Sequence, residues 1–377
     1  MSDIRTPSGG RPDREARRGE AMRSSRVLAL GAMLGAVALT AAGCGSSGGD
    51  SSTSAATGSG TAASTGASTT VSSGGKPAKV AYVTYAMNDY VSVEVDGVKK
   101  AVEPDGGSVT VFNANFDPQK MTQQCQDAIS SGRYNGIVIA PVTAPTGVPC
   151  VKAAQAAGIP VVTIEIQVGT STERMDPQVE GVVGVVGFPT SQNAKKIAGL
   201  TAEACKGQDP CKIIGEVATP DDPVTNQVID TVKKDVPGAD VVQTVVGQYD
   251  PSMIAKAFPD ALSAHPDAQV FVSAADSQAL AVVPALKQAG KLGRVKLIGS
   301  GGSRLGAKAI ADGTMFGTVA NWPLQHGEAA GRMVVQAVNG EKVDPQSVNA
   351  LEIDTPSLVT KATVSQFKPE WGAERPG

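Results

Sequence analysis

Short runs of β-branched residues recur along the chain, and each leads into a helical pattern. Lys79–Tyr85 (KVAYVTY) reads as a strand and Val91–Val102 (VSVEVDGVKKAV) as a helix. Ser108–Asn113 is the next strand, and Asp117-Pro118 opens a helix over 119–131. Asp at the N-cap accepts from free amides of the first turn, and Pro at the first helical position fixes φ where its missing N–H costs nothing. The strands GIVIAP and IPVVTIEI flank a helix, TGVPCVKAAQAAG, that ends on Gly158. The pattern then begins again at VVGVVGF (Val182–Phe188), followed by the helix SQNAKKIAGLTAEAC and the strands CKIIGEVA, DVVQTVVG, AQVFVSA, VKLIGS and MFGTVA. Helices start at Asp222-Pro223 and Asp250-Pro251, SQALAVVPALKQAG reads as a single helix, and a last helix covers 325–339. This alternation specifies parallel sheets with helices on both faces. Ten strands in two sets predict an α/β protein of two similar doubly wound lobes, with VNALEIDTPSLVT returning late as extended chain.

The charge balance narrows the partners. The formal net charge is −3, and no Lys/Arg run interrupts the folded part, so nucleic acid is excluded as a partner. Aromatic residues make up 4% of the chain, while Ala, Val and Gly abound, the usage of closely packed buried strands. The body from Lys76 onward, about 300 residues, suits two ordinary domains.

The N-terminal end is built differently. From Met22 the chain reads MRSSRVLALGAMLGAVALTAAGC: Arg23 and Arg26, an apolar run from Val27 to Leu39, then small residues up to Cys44. These are the three parts of a secretory signal, and the apolar run is shorter than the roughly 20 residues a spanning helix needs. The end AAGC resembles the lipobox of bacterial lipoproteins, which implies cleavage before Cys44 and lipid on its sulfur. Gly45–Gly75 is almost entirely Gly, Ser, Thr and Ala. Such a coil of 31 residues spans roughly 30 Å, enough to hold a domain near a membrane without orienting it. The expected division is 1–43 as extension and signal, with Met22 as an alternative start, and 44–77 as lipidated cysteine and tether. The first lobe takes 78–187 plus 322–350, the second 188–321 plus 351–362, and 363–377 forms a C-terminal tail.

Four further cysteines remain in an exported chain, and an even number reads as disulfides. Cys205 and Cys211 flank the turn-rich KGQDP, leaving Cys125–Cys150 to staple two successive helices. There is no C-x-x-C pair, and neither histidine, His265 or His326, lies near them, so no metal site and no cofactor is expected.

Several phrases taken together carry a resemblance: YVTYAMNDYVSVEVDGVKKA, GIVIAPVTA, AAQAAGIPVVTIEIQ, SAHPDAQVFVSAADSQALAVVPALKQAGK and ADGTMFGTVANWPLQHGEAAGRMVVQAVNGEKV. Over roughly 79–360 the chain resembles the type 1 periplasmic binding proteins, in particular the ribose-binding-like, sugar-type substrate-binding lipoproteins of ABC transporters. The resemblance implies two lobes joined by a three-stranded hinge and a small polar ligand trapped between them. It also implies a monomer anchored outside the cell membrane, presenting its closed form to a permease and its ATPase. The same fold also serves receptors that hand their ligand state to a membrane kinase or chemoreceptor, and that role is the alternative.

The resemblance also places residues at the cleft. Asn88 and Tyr90 stand at a polar hook and an aromatic wall, and Tyr249 at a second wall. At the fourth strand end the family's Asp-Arg pair is replaced by Glu165-Ile166. A family arginine falls at about Asn226, an asparagine at Ala275 beside Asp276, an aspartate at Gly301, and a glutamine at Asn321, which precedes Trp322. Paired guanidinium and carboxylate groups are what match adjacent sugar hydroxyls. Their loss leaves the ligand unnamed. The remaining candidates, with Asp221 and Asp222 added, include several acids and no base. Since a buried unpaired charge is costly, an anionic ligand is disfavoured, and a neutral polyol or a cation fits better. Asp222 and Asp276 also suit helix N-termini, and Trp322 suits core packing. Trp371 lies in the polar tail and reads as incidental.

Enzymatic motifs are missing. GGSRLGAK has Ala307 where a phosphate loop needs Lys, GVVGVVG lacks the dinucleotide spacing, and no G-x-S-x-G elbow occurs in the body. The expectation is a binding protein, not an enzyme.

Overall fold

The computed structural model describes residues 75–220 and 222–372. The signal segment, Cys44, most of the tether and Asp221 lie outside the described residues. The chain runs β1 (Lys79–Thr84), α1 (Asp89–Val102), β2 (Ser108–Asn113), α2 (Pro118–Ser130), β3 (Gly136–Ala140), α3 (Val148–Ala156), β4 (Val161–Glu165) and β5 (Val182–Gly187). There follow α4 (Thr190–Ala204), β6 (Cys211–Val217), α5 (Pro223–Asp235), β7 (Ala239–Val246), α6 (Pro251–Ala264) and β8 (Val270–Val272). Then come α7 (Asp276–Ala281), α8 (Val283–Gln288), β9 (Lys296–Gly301), α9 (Arg304–Asp312), β10 (Gly317–Ala320), α10 (Pro323–Val338), β11 (Ser347–Asn349) and β12 (Leu358–Thr360).

These strands form two six-stranded sheets, β11-β5-β4-β3-β1-β2 and β12-β10-β9-β8-β6-β7. All pairs are parallel except β10 with β12. The chain therefore passes from one sheet's layer to the other three times: between β5 and α4, between β10 and α10, and between β11 and β12. The expected two-lobed, doubly wound α/β architecture is what the chain adopts.

Strand parity explains how each sheet is covered on both faces. Along β1, Val80 and Tyr82 pack with Val91, Val95, Val98, Met333 and Val334 of α1 and α10. Ala81 and Val83 point the other way, onto Met121, Cys125, Cys150 and Val151 of α2 and α3. In the second lobe Ile213 and Ile214 divide in the same manner. Side chains alternate at period two, so strands buried on both faces read as continuous apolar runs.

The Asp-Pro helix starts are capped as their sequence dictates. Asp117 accepts from Gln119 N at 2.8 Å, Asp222 from Thr225 N at 2.7 Å and Asp250 from Ser252 N at 2.8 Å. Cys125–Cys150 ties α2 to α3, and Cys205–Cys211 closes the turn between α4 and β6. The single helix expected over 277–290 is two, α7 and α8, parted at Val282. Pro284 sits in the first turn of α8, and its missing N–H cannot continue the ladder of α7.

Candidate ligand-binding cleft

The loops at the carboxyl ends of both sheets open onto one cavity of about 1100 Å³. The first lobe contributes the turns after β1, β2, β3 and β4, and the second those after β6, β7, β8 and β9. Ligands of open parallel sheets bind at this end, where strand termini leave room and helix N-termini begin.

Two of these turns repeat one device. Asn115-Phe116-Asp117-Pro118 follows β2, and Gln248-Tyr249-Asp250-Pro251 follows β7. In each, the two residues before Asp-Pro have left-handed backbones, with φ 55° and 60° at Asn115 and Phe116 and 49° and 54° at Gln248 and Tyr249. Phe116 N is tied to Tyr85 O at 2.7 Å, and Gln248 N to Ala218 O at 3.0 Å. The result is an aromatic ring from each lobe, Phe116 at 46% and Tyr249 at 38% exposure, on the cavity wall.

Glu165 ends β4 at a third left-handed turn, with φ 65°, and lines the cavity. This turn needs Gly187 beside it, where a Cβ would fall 2.7 Å from Glu165 O. Its carboxyl is hydrogen-bonded with Tyr85, yet burial, reinforced by Glu94, holds it well above the usual carboxylate range. In the second lobe Glu216, near the end of β6, is 2% exposed and also lines the cavity. Oε2 accepts from Ser273 Oγ at 2.6 Å and Ala274 N at 3.2 Å, while Oε1 makes no hydrogen bond, the nearby Gln278 amide not closing on it. Burial pushes this carboxyl up to about 7.

A buried network lies behind Tyr90. His326 Nε2 donates to the Ala350 carbonyl at 3.2 Å, so Nδ1 accepts from the Tyr90 hydroxyl at 3.2 Å. Burial holds the imidazole below its ordinary value, consistent with this neutral tautomer. Tyr82 donates to Glu94 Oε2 at 2.9 Å, and burial raises Glu94 to about 8.

Of the residues expected at the site, Asn88, Tyr90, Glu165, Asp222, Tyr249 and Asn321 line the cavity. Asn88 Oδ1 caps α1 by accepting from Val91 N at 2.9 Å, so its Nδ2 is the group that remains for a ligand. Three others stand elsewhere. Trp322 is 1% exposed and packs in the second-lobe core, its ring 6.1 Å from that of Phe367. Asp276 is fully buried within the second lobe, accepting from Ser303 N and Thr318 Oγ1, both at 2.6 Å. Asn226 turns to the Pro220 carbonyl at 3.0 Å. Each of the three is spent on internal structure.

The tryptophan at the cleft is instead Trp371. Its indole donates to Gly301 O at 2.6 Å, and its ring meets Tyr90 edge-on at 5.2 Å. Glu370 beside it accepts from Leu324 N at 2.8 Å at the start of α10. The tail thus returns to the cavity, and the reading of Trp371 as incidental is corrected. Sequence reasoning also passed over Phe116 and Glu216. The repeated aromatic-Asp-Pro phrase was the signal for the first, and a lone acid in the apolar strand CKIIGEVA for the second. No group of three or more His, Cys, Asp or Glu among the described residues is placed to hold a metal ion.

Comparison with known proteins agrees with this geometry. The family described as periplasmic binding protein domain matches residues 80–342. The chain belongs to the periplasmic binding proteins. The ribose import binding protein of Salmonella typhimurium is 27% identical over 266 residues, covering 70% of this chain and 86% of that protein. An ABC transporter solute-binding protein of Mycobacterium smegmatis, solved with glycerol, is 27% identical, with a TM-score of 0.64 over 79% of this chain and all of that one (100%). One from Bacillus halodurans, solved with myo-inositol, shares the fold at 19% identity, with a TM-score of 0.67 over 77% of this chain and 96% of the other. These relatives are binding proteins of transport systems, not enzymes.

Proposed function

We propose that the chain is the extracytoplasmic substrate-binding lipoprotein of an ABC importer, anchored through Cys44, that traps a small polar solute between two closing lobes. A sugar or polyol is the favoured class. The observation that carries this reading is a cavity walled by strand-end loops of both sheets. A ligand that touches both walls binds the closed state better than the open one, and that difference is what drives closure. The relatives' ligands, ribose in one name, glycerol and myo-inositol in two others, support the solute class. The permease and its ATPase are the partners this role requires.

The test is calorimetric titration and thermal shift of the chain with pentoses, hexoses and polyols. At 100 times its dissociation constant a ligand adds about 2.7 kcal/mol of stability. Loss of uptake of the same solute on gene deletion would establish transport. Uptake that survives deletion, with loss of a transcriptional response instead, would move the protein to the receptor class. For the anchor, Cys44→Ala is expected to abolish incorporation of labelled fatty acid and release the protein from membranes.

A further inference from the structure

The charge of the cavity is one-sided. Asp89, Glu165, Glu216, Asp222 and Asp250 line it, and no lysine, arginine or histidine does among the described residues. Asp222 and Asp250 are accounted for as caps, since helix N-termini carry partial positive charge. Glu165 and Glu216 come from opposite lobes; Glu216 Oε2 accepts from Ser273 Oγ and Ala274 N just before the short helix α7, while Glu165 is faced by Tyr85, Glu94 and His326, whose imidazole burial keeps neutral. The ring of Tyr249 lies within the electrostatic reach of Glu165, Glu216 and Asp222.

A second, independent observation concerns unmatched acceptors. Gln167 Oε1 and Glu216 Oε1 are buried acceptors without a hydrogen-bond partner in the protein, and Asn193 and Asn321 add buried amides that no hydrogen bond orients; all four residues line the cavity. Gln167 is fixed in this sense because its Nε2 donates to Phe188 O at 2.9 Å. A cavity with surplus acceptors is completed by a donor-rich ligand, and an ammonium offers three donors and no acceptor. Six aromatic side chains also line the wall: Tyr85, Tyr90, Phe116, Phe188, Tyr249 and Trp371. Aromatic faces attract cations through the ring quadrupole.

We propose that the ligand is an amine-bearing polyol, such as an amino sugar, whose ammonium is neutralised by the carboxylates that Glu165 and Glu216 bring from the two lobes. The inference rests on the reading of the chain as a solute-binding protein and names the charge of its solute. A buried carboxylate with no counter-charge is costly, and without a cation it keeps its proton instead. Burial holds Glu165 well above the usual carboxylate range and pushes Glu216 up to about 7, which describes that state. An arriving ammonium makes ionisation favourable, so binding near pH 6.5 is coupled to proton release. A neutral sugar leaves the protons in place.

The experiment titrates the full chain calorimetrically with D-glucosamine and D-galactosamine against D-glucose, D-galactose and N-acetyl-D-glucosamine. D-ribose, myo-inositol and putrescine complete the panel, and runs in buffers of different ionisation enthalpy count the protons released. The expected result is binding of an amino sugar at least about tenfold tighter than its neutral or acetylated counterpart, a 1.4 kcal/mol difference, with proton release. Glu165→Gln and Glu216→Gln should each lose that preference and the proton release, while Asp267→Asn, on the surface, keeps both. A neutral sugar or inositol binding as tightly as its amine, without proton release, overturns the inference and leaves the sugar reading standing. Putrescine binding with no sugar of either kind supports the cation and overturns the sugar reading. No binding by any of the probes overturns both.

Discussion

A left-handed backbone at a phenylalanine or tyrosine costs of order 1–3 kcal/mol and persists only where the surroundings hold it. Phe116 and Tyr249 both bear that cost, on turns of the same sequence pattern in the two lobes. The strain has a use if the rings grip the ligand. Phe116→Gly and Tyr249→Gly are therefore expected to leave the melting temperature unchanged or raised while weakening ligand binding about tenfold or more; unchanged affinity would remove these rings from the site. The two tryptophans give a matched pair. Trp322→Ala should cost about 3–5 kcal/mol of stability, as large aromatic truncations in cores do, and leave the affinity of the folded fraction intact. Trp371→Ala should weaken ligand binding, because its ring touches Tyr90 and the cavity. Chemical denaturation paired with calorimetry separates the two effects. Adjacent residues explain part of what could not be read beforehand: Asn321 faces the cavity, so its neighbour Trp322 turns into the core. Trp371 reaches the cleft only because the tail folds back across the chain, and no local pattern carries that information.

At the scale of elements, the tightest constraint is the crossing of α1 and α10. A Cβ at Gly97 would lie 2.1 Å from Leu324 O, and one at Gly327 would lie 1.9 Å from Glu94 O. The two backbones touch, and this contact positions Tyr90 against His326 behind the cavity. Gly97→Ala and Gly327→Ala are each expected to destabilise by about 1–3 kcal/mol or more, the cost of overpacking, read as a fall in the urea midpoint. Gly132→Ala, at a positive φ with open space around it, is the control for glycine strain alone. The βα alternation and the Asp-Pro caps were legible because strand burial, capping and φ restriction are local properties. The break at Val282 was legible too, in Pro284, but the apolar periodicity across it suggested one helix.

For the whole molecule, the two sheets and their three crossings follow from the order of elements, but the buried acids appear only when those layers assemble. Glu94 at about 8, Glu216 at about 7 and Asp276 at about 6 are all raised by burial above their ordinary values, and Glu165 is raised as well. Unfolded, such carboxyls titrate near 4. Between about pH 4 and pH 8 these four acids bind more protons in the native state than in the unfolded one, so their contribution falls as pH rises; His326, held low by burial, opposes them only up to its unfolded value near 6.5. Their contribution is complete below the unfolded values and lost by the time pH passes each folded value. The free protein should thus melt higher near pH 5 than near pH 8. Glu94→Gln keeps an acceptor for Tyr82 and should flatten the upper part of that slope. A melting temperature that rises or stays level from pH 5 to pH 8 would mean these groups are ionised and solvated in the native state. Bound ammonium ligand reverses the situation at two of the four acids: with Glu165 and Glu216 neutralised by a cation, the slope should shrink in the complex. A neutral sugar at the same saturation should leave it unchanged, so one set of melting curves tests the buried acids and the ligand's charge together.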